Sequence, residues 1–349
     1  MINRKKFLKI STLGLSSLFA PAAFTHARTI SNLNPKAAED ALSAAPKQSR
    51  TKQQSLTFGI IADLHYDLMH DGDRRAQLFI DAMNKEQPDF IISLGDFCMP
   101  KPANTKLMTI WAQFKGKKHY VLGNHDTDGG FTKQQALTFW EAEKPYYSFD
   151  DKGLHFVVLD GNEKDPNNKV EGYPRTIGQE QLHWLKQDLQ QTKLRTVIFC
   201  HQGLENTMSG IDNGMQVRYL LEQINTEAGF NKVILVLTGH HHLNYHNEIN
   251  GIHYVQINSS SYYWAGETFE SKAFDETFYK NHGILKRTLV YKDPIWALVS
   301  IGKKDITIRG TETVMAGPPL NQTGIDVYKD VYPISSKIDS RHLTYSPKK

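Results

Sequence analysis

Apolar residues along this chain gather in short dense runs separated by amphipathic stretches. LTFGIIA (56–62), FIISL (90–94), HYVL (119–122), TVIFC (196–200) and KVILVLT (232–238) are rich in β-branched and aromatic residues. They are short and bounded by polar or glycine-containing segments, which predicts strands. RRAQLFIDAMNKE (74–86) places Leu78, Phe79 and Met83 at helical spacing, and TKQQALTFWEA (132–142) also reads as a helix. GQEQLHWLKQDLQQ (178–191) sets Leu182, Leu185 and Leu189 on one helical face. YYSFD and LHFVVLD form a strand pair across Asp151-Lys152-Gly153, and NYHNEI and IHYVQIN another across Asn250-Gly251. LKRTLVYK, IWALVSIG and DITIRG complete the strand material. Alternating strands and helices predict an α/β protein. The abundance of strands after residue 145 predicts a second sheet packed on the first, and no internal repeat is visible.

The ends of the chain break this pattern. Asn3-Arg4-Lys5-Lys6 precedes an apolar and small-residue run from Phe7 to Phe24, and Thr25-His26-Ala27 puts small residues at −3 and −1 of a cut. Residues 1–27 therefore predict an export signal peptide and a periplasmic or extracellular protein. Asn3 to Lys9 is similar to a twin-arginine motif with Lys5 in place of the second Arg, so both that route and ordinary secretion stay open. The run is too interrupted for a membrane span, and no cysteine lies near the cut for a lipid anchor. Residues 28–54, rich in Ala, Ser, Pro, Asn, Lys and Gln, read as a flexible linker. Residues 55–315 read as one folded domain. Residues 316–349, with Pro318, Pro319, Pro333 and Pro347, read as an irregular C-terminal tail.

At 349 residues and 40% apolar, the chain can bury one large core. The net charge of +4 comes entirely from Arg4, Lys5, Lys6 and Lys9 in the signal. A near-neutral remainder argues against a broad nucleic-acid or anionic-membrane surface and leaves a small-molecule substrate as the expected partner. Cys98 and Cys200, the only cysteines, are no disulfide framework and read as buried free thiols.

The chemistry lies where the strand runs end. Five polar clusters follow them: Asp63-Leu64-His65, Gly95-Asp96, Gly123-Asn124-His125-Asp126, His201, and Gly239-His240-His241-His242. Asp, His and Asn without Cys suit Mn²⁺, iron or Zn²⁺. In an extended segment Asp63 and His65 point to one side and can grip one ion. His240 and His242 share that spacing, but a turn after Gly239 would send them to different ions. Asp96 can bridge both ions through its two oxygens.

In this order the elements D-x-H, GD, GNH[DE], H and G-H-x-H resemble the calcineurin-like metallophosphoesterases, from about residue 56 to 245. The resemblance implies an α/β (α+β) fold, a four-layer sandwich of two mixed β-sheets flanked by helices. It implies a first metal held by Asp63, His65, Asp96 and His242, and a second held by Asp96, Asn124, His201 and His240. It also implies that His125 contacts the substrate phosphoryl group and assists the leaving oxygen. Two divalent or mixed-valent ions, Mn, Fe or Zn, about 3.5–4 Å apart would bring a bridging water's pKa near neutrality, and the resulting hydroxide would attack phosphorus. Asp96 and His125 are the catalytic candidates.

Purple acid phosphatases carry GDxxY where this chain has Met99, and the GDxxDRG of the protein phosphatases is absent. The expectation is an exported phosphoesterase acting on a phosphate monoester or diester, leaning to the diester. The alternative is a non-catalytic metal-containing binding protein. Around the clusters, His241 is expected to point away. Asp126 reads as a partner of the metal ligands or a helix N-cap. Asp67, Asp71 and Asp128 could approach the mouth of the site, with solvated loop acids the commoner role. Tyr262, Tyr263 and Trp264 are candidates for an aromatic substrate wall, with packing the commoner role of such residues. Tyr173 and Arg175 share a loop, from which Arg175 could meet a phosphate.

Overall fold

Burial on both faces explains why the run Leu56–Ile61 sits inside a sheet. The computed structural model describes residues 55–165, 172–329 and 331–346, so the expected signal and linker of residues 1–54 lie outside the described residues. In chain order the elements begin with β1 (Leu56–Ile61), α1 (Gly72–Glu86), β2 (Phe90–Ser93), α2 (Thr105–Trp111), β3 (Lys117–Tyr120) and α3 (Lys133–Phe139). They continue with β4 (Tyr147–Asp151), β5 (Leu154–Val158), α4 (Gln179–Gln191), β6 (Arg195–Cys200), α5 (Gly214–Ala228) and β7 (Val233–Thr238). Next come β8 (Tyr245–Ile249), β9 (Ile252–Gln256), β10 (Tyr262–Trp264), α6 (Glu276–Asn281), β11 (Thr288–Val290), β12 (Ala297–Ile301) and β13 (Asp305–Gly310). The last are β14 (Tyr328–Lys329), β15 (Tyr332–Pro333) and β16 (Arg341–Thr344).

Two six-stranded sheets carry the fold, ordered β16-β13-β12-β1-β2-β3 and β4-β5-β6-β7-β9-β8. Strands β1, β2 and β3 run parallel in the first, and β5, β6, β7 and β9 run parallel in the second. Antiparallel strands flank both parallel sets, so both sheets are mixed.

Alternation of side chains sorts the core into layers. Phe58, Ile60 and Phe90 share the central cluster with Phe156, Phe199 and Leu237 of the other sheet. The Phe58 ring stacks on Phe90 at 4.8 Å and meets Phe199 edge-on at 5.6 Å. On the opposite face of the first sheet, Ile61 and Ile91 pack with Phe79 and Met83 of α1 and Trp111 of α2. Val157, Ile198 and Val236 pack with Leu182, Leu185 and Leu189 of α4 and Val217 and Leu221 of α5. The result is the expected four-layer α/β sandwich.

The expected second sheet is built wholly from strands after residue 145, while β12, β13 and β16 return to the first. One expectation needs correction. The segment beyond 315 is not irregular throughout: β16 pairs antiparallel with β13, and Ile334, Ile338, Leu343 and Tyr345 join the central core. Among the described residues no helix is long and apolar enough to cross a membrane.

Candidate dinuclear metal site

The polar clusters converge beyond the C-terminal ends of β1, β2, β3, β6 and β7, the usual side for a site on parallel strands. The ladders continue briefly past the strands: Leu94 N–H donates to Ile61 O at 2.8 Å, Asp63 N–H to Gly95 O at 3.1 Å and His65 N–H to Asp96 O at 2.8 Å. Gly239 N–H donates to His201 O at 2.9 Å, which ties together the loops of β6 and β7.

The backbone then turns in a way the spacing did not foretell. Asp63 and His65 are not extended; their φ values are 50° and 47°. Asp96, His240 and His242 are left-handed as well, at 49°, 73° and 52°. Asp and His tolerate this region better than β-branched residues do. Left-handed turns, rather than strand alternation, therefore aim Asp63 and His65 into the pocket. Gly95 takes φ 96°, and a Cβ there would stand 2.6 Å from His201 Nδ1. A Cβ on Gly123 would stand 2.1 Å from Asp96 N.

Two groups of ligand atoms result: Asp63, His65 and His242, and Asp96, His201 and His240, each with its atoms within 4.8 Å of one another. In the first, His65 Nε2 and His242 Nε2 are 3.2 Å apart, and His242 Nε2 is 3.3 Å from Asp63 Oδ1. In the second, His201 Nδ1 donates to Leu94 O at 2.7 Å. Its Nε2 therefore faces the pocket, 3.2 Å from Asp96 Oδ2. In this buried space the pair needs a positive charge, either the proton of an imidazolium or a cation in its place. Burial lowers the pKa of His201, but Asp96 and Asp63 outweigh it and bring it to about 9. Burial also raises that of Asp96, and His201, His125 and His65 together carry it well below the carboxylate range. Burial pushes His65 and His240 well below the usual imidazole value, with neighbouring imidazoles adding to the effect. Asn124 Oδ1, buried and without a hydrogen-bond partner, offers a further oxygen. These donors fit a pair of borderline cations.

Asp96 departs from the expected use of both oxygens. Its Oδ1 accepts the His125 N–H at 2.8 Å. Oδ2 alone faces both groups, 3.2 Å from His201 Nε2 and 3.7 Å from His65 Nε2. Asp126 is a buttress and not a helix cap. It accepts N–H bonds from Phe97 at 2.7 Å, Cys98 at 3.0 Å, Asp96 at 3.1 Å and Gly123 at 2.8 Å, pinning the β2 and β3 loops together.

The groups lie on the floor of a 640 Å³ pocket whose lining includes His125, Asp128, Tyr173, Tyr262, Tyr263 and Trp264. Tyr262 stacks on the His65 ring at 4.9 Å, so it supports the floor as well as the wall. His125 Nδ1 lies 2.7 Å from Asp128 Oδ2 and 3.1 Å from Tyr173 OH, and Tyr173 OH donates to Asp128 Oδ1 at 2.8 Å. Burial lowers the pKa of His125, but Asp96 and Asp128 prevail and bring it to about 9. Asp128 is thus a partner of His125 rather than a merely solvated acid.

Asp67 accepts from Met99 N–H at 2.7 Å and Asp71 pairs with Arg75 at 2.6 Å; both are structural. His241 does not point away: it lines the pocket, but it belongs to neither ligand group. Arg175 is not in the lining, because its guanidinium pairs with Asp212 at 3.3 Å. From the same loop it is Tyr173 that reaches the pocket. Cys98 and Cys200 are buried free thiols, and burial raises Cys200 to about 12.

A family profile described as calcineurin-like phosphoesterase matches residues 56–244. Among solved structures, a dimetal phosphatase from Danio rerio aligns over 83% of this chain and 99% of its own, with 13% identity and a TM-score of 0.56. GAP50, the anchor in the inner membrane complex of Plasmodium, aligns over 84% of this chain and 90% of its own, with 16% identity and a TM-score of 0.52. These likenesses speak to the fold. No curated protein matches in sequence.

Proposed function

The chain belongs to the calcineurin-like phosphoesterase family, hydrolases acting on phosphoester bonds, and from that premise we propose that it hydrolyses a small organic phosphodiester outside the cytoplasm. The observation that carries this reading is the pair of ligand groups on the floor of one pocket, with His125 in its lining. Asp63, His65, His242 and Asp96 would hold one ion, and Asp96, Asn124, His201 and His240 the other. When bound, the pair supplies Lewis acidity toward a phosphoryl oxygen and toward water.

The chain's own residues do the rest. Asp128 and Tyr173 occupy Nδ1 of His125, which leaves Nε2–H as the proton to give. Held by Asp128, a protonated His125 can pass that proton to the departing alkoxide. The diester preference rests on charge: among the described residues Lys329 is the only Lys or Arg in the lining, which also holds Asp128 and Glu267. A monoanion is accommodated there more easily than a dianion.

Turnover of bis-p-nitrophenyl phosphate and p-nitrophenyl phosphate with Mn²⁺ or Zn²⁺ tests this. The diester should be the better substrate; inertness of both, with metal bound, sinks the esterase reading and leaves the metal-holding binding protein. Export rests on residues 1–27 alone, and N-terminal sequencing of protein from outside the cytoplasm should begin at Arg28.

A further inference from the structure

Resting on that phosphoesterase reading of the floor, we infer that the pocket takes an amphiphilic phosphate ester, one whose retained or departing group is an aliphatic chain. The floor and the wall have different origins. Every ligand residue lies within residues 56–244, matched by the family, whereas Tyr262, Tyr263, Trp264, Ile284 and Lys329 come from the chain beyond it. The wall is mostly apolar: Leu68, Met208, Leu243, Tyr263, Trp264 and Ile284 line it.

Some of these apolar side chains are exposed to water. Met208 is 54% exposed and Ile284 39%, and both line the pocket. Val327 and Tyr328, also exposed, directly precede Lys329 of the lining. Met and branched aliphatic side chains adapt to a flexible alkyl chain. The 640 Å³ volume is in the range that takes a ligand much larger than a phosphate.

Calorimetric titration of the Zn²⁺-loaded protein with methyl-, butyl- and octylphosphonate, below any micelle concentration, tests this without turnover. Affinity should rise about three- to fourfold per methylene until the wall is filled, as burial of each CH₂ predicts. Met208→Ser and Ile284→Ser should each reduce the octyl-to-methyl affinity ratio severalfold. Equal affinity for methyl- and octylphosphonate overturns the inference, as does a ratio untouched by both variants. Chain-length-dependent binding without hydrolysis of any ester would keep the amphiphile and sink the esterase. Hydrolysis with flat phosphonate binding would do the reverse.

Discussion

The Asp128 carboxylate lies 2.7 Å from Nδ1 of His125, and this contact decides which imidazole nitrogen is free to meet a substrate. His125→Ala should lower kcat by about 10²–10⁴-fold while metal content stays at two ions per chain. Asp128→Asn should cost roughly ten- to a hundredfold, the worth of a hydrogen bond to a charged group of ~1.5–3 kcal/mol. Steady-state kinetics beside metal analysis checks both. A variant at 125 with normal turnover would favour the non-catalytic alternative.

Asp96 presents one oxygen to both ligand groups, so its loss should not be confined to one ion. Asp96→Asn is expected to weaken binding of both, whereas His65→Ala should release mainly one. Titration with Mn²⁺ or Zn²⁺ after chelation would count them. Adding metal at a hundredfold excess over its Kd should stabilise the fold by about 2.7 kcal/mol per site, seen as a higher Tm than in chelator. An unchanged Tm would mean that the two groups hold no cation.

A methyl group at residue 123 would collide with the backbone of Asp96, and nothing flexible lies there to yield. Gly123→Ala should destabilise by about 1–3 kcal/mol and weaken metal binding as the β2 and β3 loops part. Gly283, which has open space at its Cβ position and no left-handed φ, is the control for crowding. Comparable metal affinity in Gly123→Ala and Gly283→Ala would refute the close approach.

Two histidines away from the pocket should give stability opposite pH dependence. Burial, reinforced by Lys117, holds His119 down to about 4, below the unfolded value of about 6.5. Its native environment therefore favours the neutral ring, and the stability it contributes is complete above pH ~6.5 and lost as pH falls toward 4. Burial lowers His155 too, but Asp188 at 2.8 Å and Asp150 at 2.6 Å prevail and raise it above 6.5. Its contribution is complete below pH ~6.5 and lost as pH rises through the higher folded value. His119→Phe should flatten the acid side of the Tm curve, and His155→Gln should cost more Tm at pH 6 than at pH 9. Variant curves parallel to the parent's would contradict both assignments.

Much of this was legible in the sequence because burial and chemistry share an address. The runs at β1, β2, β6 and β7 are apolar on both faces, and four of the five polar clusters mark the end of one. Helix α5 is equally readable from the spacing of Val217, Leu221 and Ile224. Strand β16 was not, because only its pairing with β13, more than thirty residues earlier in the chain, makes Arg341–Thr344 a strand. The contacts that bring Asp128 and Tyr173 to His125 depend on loop conformation, which residue spacing does not encode. The same holds for the left-handed turns at Asp63 and His65, where extended geometry predicted the right neighbours for the wrong reason.

Those turns make the pocket floor a cocked mechanism. Five of its residues hold a backbone conformation that a relaxed chain would abandon, at roughly 1–3 kcal/mol apiece, and only the closed sandwich around them keeps the catch set. Mild heat or denaturant should therefore spring the loops before either sheet comes apart, so that the protein goes silent while it still looks folded.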